Sequence, residues 1–91
     1  MIVMSETDFV GHALCDYLRA FLPAVDIDII RTDLVCGEPV GAIQWALASA
    51  IDENVPLPPV YVDHIRLIDA AHHSADFENL LVRLPEWTLV A

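Results

Sequence analysis

Val25-Asp-Ile-Asp-Ile-Ile-Arg-Thr-Asp-Leu-Val-Cys36 is the stretch on which the fold class turns. Its first half alternates: Val25, Ile27 and Ile29 are separated by carboxylates in the manner of a half-buried strand. Its second half does not, because Ile30 and Leu34 lie one helical turn apart and Gly37 follows as a helix stop. A strand needs a pairing partner, and no other segment of the chain offers an obvious one. A short helix over about 27–36 is therefore expected, and with it an all-α fold, a compact bundle of four to five short helices in a single domain spanning 1–91.

The segments on either side read as helices more directly. Ser5 followed by Asp8 has the form of an N-cap with an acidic first turn, and Val10, Leu14, Tyr17, Leu18 and Phe21 then recur at helical spacing, which predicts a helix over 6–22 stopped by Pro23. Pro39 suits a first helical position. Beyond it Val40, Ile43, Leu47, Ala50 and Ile51 form an apolar stripe up to Pro56, with Gln44, Trp45, Ser49 and Asp52 on the other face. Pro58 and Pro59 open a further helix in which Tyr61, Ile65, Ile68 and His72 share one side, with Val60, Leu67 and Ala71 beside them and Asp63, Arg66 and Asp69 facing out. Asp76 is expected to cap a last short helix that turns Phe77, Leu80, Leu81 and Leu84 inward and stops at Pro85; 86–91 receives no assignment.

A chain of 91 residues with 56% hydrophobic content carries more apolar surface than so small a domain easily hides, which reserves some of it for a partner. Fourteen acidic residues against four basic ones give a formal net charge of -10. Such a field repels nucleic acid and anionic membrane, and it steers a basic protein inward. The same charge also serves solubility. No run of eighteen apolar residues occurs, and the first residues carry no basic stretch of the kind that opens a secretion signal. Cys15 and Cys36 form no C-x-x-C pair, and both stand in apolar sequence. These features lead us to expect a cytoplasmic protein in a reducing compartment.

The search for reactive chemistry gives little. His12 and Cys15 lie at i, i+3, and His64, His72 and His73 lie on or near another helix, but no H-E-x-x-H or second spaced pair completes a metal site. Ser, Cys, His and Asp are all present without a G-x-S-x-G elbow. Asp26 with Asp28, or Asp52 with Glu53, read as solvated carboxylates, because a small bundle offers little concavity to separate their pKa values. Gly11, Gly37 and Gly41 build no phosphate loop, and lysine is absent from the chain. Ser5, Ser49 and Ser74 lack the Asp-Ser-Leu context of a carrier protein's prosthetic-group serine. The expectation is no enzyme, no metal and no cofactor.

What remains is surface. Trp45 on the polar side of its helix and Trp87 near the C-terminus stand among carboxylates, and aromatic anchors beside charge make a protein-binding patch. The alternative is that both tryptophans fill gaps in a thin core.

Gly37-Glu-Pro-Val-Gly-Ala-Ile-Gln-Trp-Ala-Leu47, followed by Ile51-Asp-Glu-Asn-Val-Pro-Leu-Pro58 and a tyrosine-containing helix, resembles the small helical immunity proteins of bacterial polymorphic-toxin systems, the MafI-like group. The resemblance spans roughly 34–68. It implies a protein made beside a secreted toxin, often a nuclease, that binds the toxin domain stoichiometrically and blocks its active site or substrate groove. The motif residues look architectural: Gly37 and Pro39 set a helix start, Glu38 can bond back to free amides there, and Pro56 to Pro59 set a turn. The resemblance thus supplies no catalytic residue. Carboxylates suit the blocking of a cationic groove, and the expected contact surface combines Trp45 with Asp52, Glu53, Asp63 and Asp69. The rival expectation is a small acidic assembly or regulatory module acting as a homodimer.

Overall fold

The stretch that decides the fold class is helical. The computed structural model describes residues 5–72 and 75–87, and among them five helices and no strand occur: α1 (Glu6–Leu18), α2 (Ala24–Val35), α3 (Pro39–Asp52), α4 (Pro59–Ala71) and α5 (Glu78–Leu81). In α2 the buried residues are Ile27, Ile30 and Leu34, at helical spacing, while Val25 is exposed and Ile29 half-buried. The strand-like alternation of Val25, Ile27 and Ile29 marks no single face, since successive members stand about 200° apart on the helix and only Ile27 is buried. α2 begins three residues earlier than expected because the amides of Asp26 and Ile27 already bond to the Pro23 carbonyl, at 3.0 and 3.3 Å.

α2 ends where Gly37 adopts φ 73°. The Gly37 amide donates to the Leu34 carbonyl at 3.2 Å and the Glu38 amide to the Asp33 carbonyl at 2.8 Å, the paired closure of a Schellman motif. The closure recurs at the end of α3. There Asn54 takes φ 56°, its amide reaches the Ile51 carbonyl at 3.1 Å, and Val55 reaches Ala50 at 2.8 Å. Val55 and Leu57 are buried, so the second closure returns the chain to the core before α4 begins at Pro59. Glu38 makes no side-chain cap on α3, contrary to the expectation from its position; its backbone amide serves the preceding helix instead.

Ser5 caps α1 as the sequence indicates: its hydroxyl oxygen accepts the Asp8 amide at 3.1 Å and its proton goes to the Asp8 carboxylate at 2.8 Å. α1 stops at Leu18 rather than 22, because a tight turn through Phe21 and Leu22, both bonded to the Leu18 carbonyl, brings Leu22 into the core ahead of Pro23. Phe21 is left exposed by that turn.

One core joins the helices. Leu14 and Leu18 of α1, Ile30 of α2, Ile43 and Leu47 of α3 and Ile65 of α4 are its fully buried centre. α1, α2 and α3 pack on one another, α4 lies against α1, and α5 bridges α3 and α4. Gly11 sits buried where α1 meets α2, and a Cβ there would come within 2.8 Å of Leu34 Cδ2. Several details depart from the sequence expectation. Ser49 is buried, because α3 is enclosed on two sides. Val40, Val60 and Leu67 are exposed, and Cys36 lies on the surface beside the Gly37 turn.

The largest correction concerns Asp69. It does not face out; it is 6% exposed, and its carboxylate accepts the amides of Phe77 at 3.4 Å and Glu78 at 2.9 Å. Asp69 thereby does from α4 the capping that Asp76 was expected to do locally, and Asp76 stays exposed. Arg66, one turn back on α4, holds the same segment through a two-pronged pair with the Glu78 carboxylate at 2.9 and 3.2 Å. Phe77 and Leu81 are buried and Leu80 and Leu84 partly so, as the spacing indicates.

Two stability measurements check this account. Gly37→Ala is expected to lower stability by about 1 kcal/mol, since nothing lies within 4 Å of the added Cβ and the whole cost is left-handed backbone; an unchanged melting temperature would contradict that turn. Asp69→Ala is expected to cost about 1 to 3 kcal/mol by leaving buried amides unpaired, whereas Asp76→Ala should change little. Equal losses at the two positions would return the cap to Asp76.

Candidate functional site

The connection between α2 and α3 is only three residues, so the helices run antiparallel, and two contacts fix their register. The Asp33 carboxylate stands beside Gly41, 3.3 Å from where a Cβ would sit, and the Trp45 indole N–H donates to the Asp26 carboxylate at 3.4 Å. Asp26 and Asp33 are seven residues apart, two turns along one side of α2, or about 10 Å. Ile29, half-buried, lies between them on α2, and Asp33 stands beside Gly41, one turn of α3 before Trp45. Trp45 is 42% exposed. It packs along the seam without filling the core, which decides between the two readings of it. Asp52 follows Trp45 by two turns on the same face of α3, and Glu53 caps that helix, both exposed.

Beside the seam, a shallow depression of about 240 Å³ runs along α2, lined by Val25, Asp28, Ile29, Thr32 and Asp33. From Ala24 to Glu53 the chain carries six carboxylates (Asp26, Asp28, Asp33, Glu38, Asp52 and Glu53) and one cation, Arg31. Arg31 is engaged away from the seam, pairing with Asp28 at 3.7 Å and lining a hollow shared with Arg19 and Leu22 of the α1 side. The seam is therefore an aromatic and aliphatic strip with a carboxylate rim.

The expected five-residue patch does not assemble whole. Trp45, Asp52 and Glu53 share α3. Asp63 lies exposed on α4, which packs against α1 and α5. It belongs to a separate groove with Arg66, Glu86 and Trp87, about 370 Å³ in volume. Asp69 is committed to the α5 cap. Sequence reasoning passed over Asp26 and Asp33 as partners of Trp45; the signal that finds them is the i, i+3, i+7 run Asp26, Ile29, Asp33 set antiparallel to Gly41 and Trp45.

Helix electrostatics separate carboxylates the fold uses from those it does not. The C-terminal end of a helix is partially negative and favours cations. No helix here has a basic residue in its last turn, and each of the four long ones has an aspartate there: Asp16, Asp33, Asp52 and Asp69. Asp16 reaches Arg19 at 4.0 Å, and Asp69 caps α5. The Asp33 and Asp52 side chains make no hydrogen bond or ion pair among the described residues. The Asp33 carboxylate nonetheless lies beside Gly41 in the first turn of α3, a positive helix end that favours it, so Asp52 is the one left where folding disfavours a carboxylate, two turns along α3 from Trp45.

The remaining reactive groups are accounted for structurally. Burial pushes the Cys15 thiol up, away from its thiolate form. The hydrogen bond from Arg66 holds Glu78 below its ordinary carboxylate value and raises Arg66 in turn. His64 lies 3.5 Å from Glu6, and His12 is exposed while Cys15 is buried. Among the described residues no three of His, Cys, Asp and Glu gather as metal ligands; His73 lies outside them. No described helix is long and apolar enough to cross a membrane. Comparison with known proteins finds no matching family model, no matching curated protein and no matching solved structure.

If Asp52 serves a partner and not the fold, removing its charge stabilises the free protein. Asp52→Asn is expected to gain about 0.5 kcal/mol, roughly 2 to 4 °C in Tm. A fall in Tm would assign it a structural role.

Proposed function

We propose that this protein neutralises a cognate bacterial toxin domain, a nuclease-type effector, by forming a stoichiometric protein complex, and that it does so without catalysis of its own. The observation that carries the reading is the α2–α3 seam, an exposed tryptophan on a stretch of chain whose carboxylates outnumber its cations six to one. Aromatic anchors inside a polar rim concentrate binding energy, and a cation-poor surface on a chain of net charge -10 attracts the basic groove with which a nuclease holds its substrate. The similarity of residues 34–68 to MafI-like immunity proteins points the same way. Neutralisation must precede damage, so electrostatic steering of the encounter has direct value.

A homodimeric module is the second reading, and a different surface favours it. Tyr17 stacks at a tilt on Phe21 and on Tyr61, with ring centroids 5.2 and 5.4 Å apart, and Phe21 and Val60 are exposed beside them. This aromatic patch lies between α1 and α4, away from the seam.

The test is co-expression with the product of the adjacent gene. The expected outcome is rescue of cell growth from that product and a one-to-one complex whose affinity falls steeply with salt. Failure to rescue, with a concentration-independent dimer in sedimentation, would replace this reading with the homodimer.

A further inference from the structure

We infer that the α2–α3 seam receives an arginine side chain of the partner, its guanidinium laid on the exposed part of Trp45 and hydrogen-bonded to the Asp26 carboxylate, within the negative field of Asp33. This rests on the proposed toxin-binding role and specifies the chemistry of its contact.

Three features of the seam select that occupant. First, the Trp45 indole N–H donates to Asp26, and 42% of the residue is exposed. An indole face is the strongest aromatic attractor of a cation. Second, the Asp33 carboxylate lies against Gly41, one turn of α3 before Trp45, and adds a second negative charge to the seam. Third, neither carboxylate is claimed by a cation of this chain: Arg31 is paired with Asp28, and α3 has no basic residue at all.

Arginine is favoured over lysine because its flat guanidinium both stacks and donates several hydrogen bonds in one plane, whereas an ammonium is a compact, strongly hydrated charge. A second copy of this chain does not fit the same place. A twofold contact would set Asp26, Asp33 and Asp52 against their own equivalents with no cation between them. Nucleic acid and anionic lipid are repelled on the same ground.

The test uses the full chain and two probes, triarginine amide and trilysine amide, followed through the indole N–H resonances, which Trp87→Phe assigns. The expected result is that the arginine peptide saturably shifts the Trp45 signal and binds about three-fold tighter than the lysine peptide at equal salt, that Trp45→Leu removes the difference, and that Asp33→Asn weakens both. Equal binding of the two peptides, shifts centred on another face, or self-association that Trp45→Leu abolishes would overturn the inference. Loss of the arginine preference while the chain still rescues growth overturns this contact alone. A preserved preference without rescue keeps the contact and removes the toxin reading.

Discussion

The left-handed turn at Gly37 is the constraint on which the rest of the molecule depends. A three-residue link can reverse a helix only if one residue crosses into positive φ, and Gly37 does so at 73°. With that reversal α3 must lie back along α2, Ile30 meets Ile43 and Leu47 in the core, and the outer edges of the two helices form one continuous seam. The closure also uses the Glu38 amide, which is why Glu38 cannot play the local capping role its position suggests. A second closure at Asn54 repeats the device and brings Val55 and Leu57 into the core beneath α4.

Electrostatics divide the carboxylates into two groups. Asp8 and Asp69 complete caps, and Glu78 completes a paired anchor with Arg66, so their charges stabilise the fold. Asp26, in the first turn of α2, and Asp33, beside the first turn of α3, stand near positive helix ends, whereas Asp52 stands at the negative end of α3 without a partner among the described residues. A sequence under selection for folding alone would place a cation there. Asp52 is where the local rule is broken, on the same face of α3 as the half-exposed Trp45, and such places in natural proteins are expected to be functional.

Much of the fold was legible from spacing. The Ser5 cap, the Pro39 and Pro59 helix starts and the buried residues of α1 and α5 follow from periodicity and capping chemistry. The stretch 25–36 resisted because carboxylates at 26 and 28 imitate a strand, and only the lack of a pairing partner argued for a helix. The candidate patch was half legible: Trp45, Asp52 and Glu53 share a helix and were found together, but Asp69 was misplaced because its role is a tertiary cap on amides eight and nine residues away. Asp26 and Asp33 were hidden for a related reason. Their relation to Trp45 crosses between helices and depends on an antiparallel register that no single-helix pattern contains.

The central proposal is that the α2–α3 seam, and not the Tyr17, Phe21 and Tyr61 patch, is the surface that meets the proposed toxin partner. The direct measurement is an NMR titration of the isotope-labelled chain with an inactivated form of the toxin domain. The account predicts that perturbations centre on the Trp45 indole, Gly41, Ile29 and Asp33, and spare α4. Perturbations centred on Tyr17, Phe21 and Tyr61, with the Trp45 indole unmoved, would contradict it.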